Sequence, residues 1–441
     1  MLNFYIFLGI YLAVLFAISF YISRKESKED YLISGRDRKT WTILLSKFAN
    51  SVGVNWFVVY TAYAYEFGIG IYGVLLGFIV GYLLFAFWAA PKIYKHSKKH
   101  HFYTQGDYVY KQTRSKFAKY LTNYTSVLVQ FSWLLIGIVG GSKIISSVGL
   151  VSYEAALIIT IGIILFYVVM AGYKAVLVTD VFQSIIIVLL LAFLGWVIIG
   201  DVSVSEILSA KGNSLDMTTA FGMFLYGLLS VFALADRYQL SYAANDEKSL
   251  KRGMALSIIP IIVVASFLLL IGLFMYIQNP NLDPALAFIE AIKTRLPSSL
   301  IPIGLVLFFA GLMSNSDTSI FAISSHIVFS KKQSKPVRSV RFVTVVALIG
   351  IGLISYFFRD IVDITVFAAV ATVVLSVPMI YLLVNGESAN RFIGSIMGGV
   401  LGLILGVMVL GLVPTLIVVV VIGGMLGVFV GGFIYKDFKK I

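Results

Sequence analysis

The sequence predicts an all-α integral membrane protein of about thirteen transmembrane helices. Three observations carry that expectation. Residues are 59% hydrophobic and only 12% charged. Apolar runs of about 20 residues, each long enough to cross ~30 Å of hydrocarbon, recur along the chain. The basic residues alternate from one side to the other in the way that orients membrane proteins.

The runs fall at 2–23, 41–65, 70–90, 119–147, 152–171, 175–199, 218–240, 253–277, 299–329, 339–358, 361–383, 392–411 and 413–435. The first is followed by Arg24-Lys25 and lacks a basic leader or small-residue cleavage site, so it reads as a retained span. The second carries Ala49-Asn50-Ser51-Val52-Gly53-Val54-Asn55-Trp56 at its middle, a helix-disfavouring stretch. The seventh holds Gly222, Gly227 and Ser230, a weaker break. The ninth contains the hydroxyl-rich run 310–326 with Asp317. Lipid offers polar groups no partners, so this run faces protein, water or an ion. Between the eighth and ninth runs, Asp283 and Pro284 mark a helix start, a segment suited to pack over an outer vestibule.

With the N-terminus outside, 28 of the 34 Lys and Arg fall on the cytoplasmic side, Arg237 to Arg252 among them, and five on the other; Lys47 lies within a span. The C-terminus is then cytoplasmic. This distribution accounts for the +13 net charge without nucleic acid, and membrane lipid is the partner it implies. Cysteine is absent, which excludes disulfides and Cys-ligated metals. The run Lys95 to His101 holds three of the four histidines, and a solvated lipid-facing patch explains it better than a metal site. No catalytic constellation is present, so an enzyme is not expected.

Spans 2–6 and 7–11 form two blocks of five, and an odd number inverts the second relative to the first. Such five-plus-five inverted repeats place substrate and ions near the midplane on broken helices. The expected divisions are 1–40, an accessory span and loop; 41–199, the first repeat; 200–383, the second; and 384–441, two accessory spans.

Four segments resemble the sodium/solute symporter family, which includes sodium–proline and sodium–glucose symporters. Tyr31-Leu-Ile-Ser-Gly-Arg36 is similar to its lead-in to the first core helix. Lys174-Ala-Val-Leu-Val-Thr-Asp-Val-Phe-Gln183 resembles the entry to the fifth, Asp236-Arg-Tyr-Gln239 the close of the sixth, and Leu312-Met-Ser-Asn-Ser-Asp-Thr318 the eighth. They occur in the family's order, between about residues 2 and 383. The resemblance implies a LeuT-like fold with spans 2–11 as the core, and a sodium-coupled symporter of the plasma (bacterial inner) membrane, functional as a monomer.

The resemblance also implies site residues. Sodium, as coupling ion, would take the Ala49, Val52 and Gly311 carbonyls, Ser314 Oγ and the Asn315 side chain. Asn315 departs from the usual Ser or Thr. Hydrogen bonding across packed helices is the plainer reading of Ser314 and Asn315. Asp180 would aid ion release, and Asp317 belongs either to the ion path or to neighbouring hydroxyls. Lys47 lies outside the family pattern. It pairs with Asp180 as a gate, replaces a bound cation in a proton-coupled or facilitative carrier, or snorkels to the headgroups. Gly53, Asn55 and Trp56 would contact solute, with Gln130, Ser132 and Trp133 of span 4 and Tyr226 and Ser230 of span 7. The polar residues of the sugar branch fall at Leu75, Leu228 and Val231, which disfavours sugar. An amino acid or organic acid fits better. The remaining alternative is a membrane sensor on the same fold. Sensors carry a signalling domain, and this sequence stops about six residues past its last apolar run.

Overall fold

A turn of three successive positive-φ residues precedes the first broken helix. Ser34, Gly35 and Arg36 all have positive φ (59°, 69° and 57°), conformations that only glycine adopts without strain. A Cβ on Gly35 would lie 2.7 Å from Asp30 Oδ1. The turn aims Arg36 at Glu29, at Ser97 and at the Phe102 carbonyl (2.7, 3.1 and 2.9 Å). Asp30 closes a capping box with Ser27 and receives Lys174 at 3.1 Å. The first two segments that carry the family resemblance are thus fastened to each other.

A computed structural model describes residues 2–25, 27–53, 55–148, 151–170, 172–210, 215–329 and 336–433. The helices are α1 (Leu2–Ser23), α2 (Lys28–Ile33), α3 (Thr40–Ser51), α4 (Thr61–Phe67), α5 (Tyr72–Leu84), α6 (Ala90–His100) and α7 (Gln105–Thr113). They continue with α8 (Lys116–Ser147), α9 (Tyr153–Met170), α10 (Tyr173–Asp201), α11 (Val204–Ser209), α12 (Met217–Ser230), α13 (Ala235–Ala243) and α14 (Glu247–Leu256). The rest are α15 (Ile258–Gln278), α16 (Ala287–Arg295), α17 (Ile301–Val328), α18 (Pro336–Phe357), α19 (Ile361–Asn385), α20 (Ala389–Leu410) and α21 (Leu416–Phe433). No strand occurs among the described residues; one isolated parallel bridge joins Arg38 to Ala244.

Eleven of these helical stretches are long and apolar enough to cross a membrane, against the thirteen expected. The difference has two sources. Trp56–His100 is one continuous helical stretch that takes in the end of expected span 2 and all of span 3, around a positive-φ turn at Gly68. The fifth expected span is present as α9, Tyr153–Met170, of which only the stretch Tyr153–Phe166 is described without interruption. The helix start expected at Asp283 is present, with its carboxylate capping the Ala285 amide at 3.0 Å.

At the centre lies α17, buried along nearly its whole length and packed by α8, α10, α3 and α1. In lipid, helices associate through close packing and side-chain hydrogen bonds rather than hydrophobic transfer. Small residues provide the approach here. A Cβ on Gly137 of α8 would sit 2.1 Å from Ser316 Oγ of α17, and one on Gly77 of α5 would sit 2.2 Å from the Phe224 carbonyl of α12.

Two spans are interrupted. In the first, the Val52 amide still reaches the Phe48 carbonyl (3.1 Å), and a π-helical turn, Asn55–Tyr60, restarts at Gly53, whose carbonyl accepts from Trp56 and Phe57. In the second, α12 stops at Ser230 and α13 begins at Ala235, so the break follows directly on the last residue of the weak signal read in the sequence. Buried side chains serve the freed backbone. Gln105 Nε2 donates to the Ala233 carbonyl at 2.6 Å, and Tyr238 donates to Phe232 at 2.9 Å. Unwound backbone persists at membrane depth only with such partners.

Candidate functional site

The two breaks meet end to end. The C-terminal end of α3, with its unshared carbonyls, carries the negative end of a helix dipole, and the first turn of α13 carries the positive end. Each is matched by charge: Lys47 on the last turns of α3 and Asp236 on the first turn of α13. Asn50 Nδ2 donates to Asp236 Oδ2 at 3.0 Å and bridges them.

Against α3 sits Asp180 of α10, fully buried. Ser46 donates to its Oδ2 and Ser314 of α17 to its Oδ1, both at 2.7 Å. Three helices therefore converge on one carboxylate, α3 meeting it through Ser46, one turn before Ala49. Gly311, one turn before Ser314, packs against Phe57 and Ile187 in an unbroken part of α17. A carbonyl there has only its second lone pair to offer.

The next residue, Lys47, meets Asp236, not Asp180. Its Nζ donates to Ser51 Oγ at 2.5 Å, lies 3.9 Å from Asp236 Oδ2 and sits 4.8 Å from the centre of the Tyr82 ring. The geometry explains the exchange of partners: both oxygens of Asp180 are taken by serines. Lys47 is 1% exposed, so it does not snorkel either. Arg237, counted with the basic loop in the sequence, is also buried. It pairs with Asp236 and donates to Tyr82 Oη at 2.7 Å.

Two cavities flank this arrangement. A polar one is lined by Asn50, Ser51, Trp56, Gln130, Trp133, Tyr226, Asn315, Asp236 and Arg237, among others. An apolar one lies towards the far end of α4, against Tyr60, Tyr63, Ile71 and Pro414. Trp56, Phe78 and Tyr226 line both and partition them. Trp56 stacks on Tyr60 (5.1 Å) and tilts against Phe78 (5.4 Å), which meets Tyr226 edge-on (5.5 Å).

The polar cavity thus gathers Trp56, Gln130, Trp133, Tyr226 and Asn315 from the residues expected to meet solute or ion. Gly53 lies directly under the Asn315 amide. Ser132 is not in either lining; its hydroxyl donates to its own helix at Leu128 (3.0 Å). Ser230 is fully buried and lines neither cavity; its hydroxyl has no hydrogen-bond partner among the described residues. Asp317 lines neither cavity and lies on the Tyr11 side of α17. The side chain of Asn55 lies outside the described part of the structure.

Sequence reasoning missed Ser46, Ser51, Tyr82, Asp236, Arg237 and Ser319 as site residues. Ser46 had a signal: three residues before Ala49, it shares that face of the helix. Asp236 and Arg237 had a signal too, in the segment Asp236-Arg-Tyr-Gln239 at the end of the run 218–240, but Arg237 was counted with the basic loop that follows.

Comparison with known proteins completes the picture. The model of the sodium:solute symporter family matches residues 31–357. A sodium/pantothenate symporter of Haemophilus influenzae is 23% identical over 346 residues, 72% of this chain and 70% of that protein. A sodium/proline symporter of Staphylococcus aureus is 24% identical over 251 residues, 52% of this chain and 46% of that one. A Na+-coupled sialic acid symporter, solved in a substrate-bound outward-open state, superposes with a TM-score of 0.82 over 98% of this chain and 97% of that chain, at 18% identity. A nucleobase-cation-symport-1 family transporter in a closed conformation gives 0.54 at 13% identity. The two structural likenesses establish a fold shared with those proteins. With the family model spanning most of its length, this multi-pass membrane protein belongs to the sodium:solute symporter family.

Proposed function

We propose that the protein is a secondary transporter that carries a small amphipathic organic solute together with sodium by alternating access. The observation that carries this reading is the convergence of Ser46, Asp180 and Ser314 at the broken helix α3. Sodium is a hard cation and needs several oxygens. A carboxylate, two hydroxyls and the carbonyls of Ala49 and Val52 are oxygens of the right kind, set at a helix C-terminus whose dipole favours cations. The solute site is the adjoining polar cavity, where aromatic faces and a few amides offer an amphipathic lining. Because the same α3 break borders both, sodium that orders the break also completes the solute cavity, and each ligand favours the other.

The test is the thermal stability of the purified protein in sodium against choline or potassium at fixed ionic strength, with a panel of amino acids, carboxylates and sugars. Sodium-specific stabilisation that grows with one solute class is the expected result, since a ligand of the native state raises its stability by mass action. Equal stability in all three salts would refute sodium coupling.

Trp56→Ala separates the two sites. The indole forms the partition over the polar cavity, and truncating a buried Trp costs about 3–5 kcal/mol of packing. Solute affinity should fall by roughly tenfold to a hundredfold while stabilisation by sodium alone persists. Equal loss of both responses would reduce Trp56 to a packing role.

A further inference from the structure

Lys47, Asp236 and Arg237 form a buried cluster with two cations and one carboxylate. Their side chains are 0%, 6% and 6% exposed. Asp236 is heavily committed: Oδ2 alone meets Asn50, Arg237 and Lys47. Counted with Lys47 protonated, the cluster holds one unbalanced positive charge, and uncompensated charge at this depth is costly. Arg237 lines the polar cavity, and its Nε is a buried donor without a hydrogen-bond partner among the described residues.

Two other carboxylates are buried nearby. Asp317 lies on the Tyr11 side of α17 and does not line the cavity. Asp180 meets α3 through Ser46, the residue before Lys47, with both oxygens on serines. Its negative charge offsets the surplus in part while no cation is bound. A sodium ion at Asp180 cancels that offset.

We propose that the transported solute is a small organic monoanion, its carboxylate held by Arg237 within reach of Lys47, and that sodium draws it in by neutralising Asp180. This inference rests on the sodium-symport reading above. The missing charge is one, so a monoanion balances the cluster. A zwitterion would bring an ammonium group into a cavity whose one lining carboxylate, Asp236, is already shared among three donors. A carboxylate fits the guanidinium fork that Tyr82 and Asp236 leave incomplete, and charge-assisted bonds of this type are the strong ones. The body of the solute would lie against Trp56, Phe78 and Tyr226. Coupling then has an electrostatic cause beyond shared contacts: cation and anion sites on one half-helix, each lowering the cost of the other's charge.

The experiment titrates the full chain, purified in sodium and separately in choline, with acetate, lactate, butanoate and phenylacetate, each against its primary amide, and with proline and succinate. In sodium, at least one carboxylate should stabilise the protein with an apparent affinity roughly tenfold or more above that of its amide and of proline, and choline should erase the difference. Charge variants give a readout that a structural role would not move. Lys47→Met brings the cluster to zero and should swing preference towards the amide; Asp236→Asn brings it to two positive charges and should favour succinate. Amide or proline binding as well as the carboxylates in sodium overturns the proposal, as does no response to any carboxylate. Those outcomes leave sodium stabilisation standing. Loss of sodium stabilisation itself would instead remove the symport reading, so the two failures are distinguishable. The wild-type comparison decides even if a variant does not fold.

Discussion

Asp180→Asn is expected to abolish stabilisation by sodium. With no cation present, Asp180 is a fully buried carboxylate held by two hydroxyls. An amide of the same shape still hydrogen-bonds Ser46 and Ser314 but removes the charge a cation would meet. With sodium, the lost attraction is large: at ~4 Å and an effective dielectric of about 20, a unit pair contributes about 4 kcal/mol, or roughly a thousandfold in affinity. Ser314→Ala keeps the carboxylate and loses one oxygen, so its sodium affinity should fall by only about tenfold to a hundredfold. Sodium titrations of Tm for the two variants, beside the wild type, check the order. An Asp180→Asn protein with a wild-type titration would place the ion elsewhere.

The second large effect is expected at Gly53. A Cβ there would lie 1.7 Å from Asn315 Nδ2, 2.7 Å from its Cγ and 3.1 Å from its Cβ. Rotating the amide away leaves the last of these contacts tight, so either α17 or the α3 break must move. Overpacking of this kind costs about 1–3 kcal/mol, and here it is spent at the junction of ion and solute sites. Gly53→Ala should cut sodium-dependent uptake by roughly tenfold or more. The clash names its own remedy. Asn315→Ser removes the amide and leaves the hydroxyl that the family resemblance led one to expect, but keeps the Cβ, so the double variant should recover part of the uptake. Failure of that rescue would mean that Gly53 is needed for its backbone freedom rather than for the room it gives Asn315.

Asn315 and Gly53 also mark how far the sequence could be read. Asn315 was recognised as a departure and Gly53 as part of a break, yet their contact follows from a helix crossing that no spacing encodes. The break of α3 was legible because Asn, Ser and Gly cluster within an apolar run. The break before α13 was not, since Val231-Phe-Ala-Leu234 is apolar throughout and its unwinding depends on distant Gln105 and on Tyr238. Lys47 was visible as an anomaly, but its partner was misread. Depth in the membrane brought it level with Asp180, whereas rotation about α3 set it on the side of Asp236. One-dimensional depth is written in hydropathy; azimuth around a helix that ends in an irregular turn is not.

The aromatic partition has a practical consequence. The chain contains five tryptophans. Trp41 and Trp196 are 70% and 72% exposed, and Trp88 lies beside Lys92. The remaining two, Trp56 and Trp133, both border the polar cavity. Indole emission shifts with the polarity around the ring. The protein therefore carries a built-in optical reporter of its own occupancy, and filling or emptying the cavity can be followed by light, in real time and without a label.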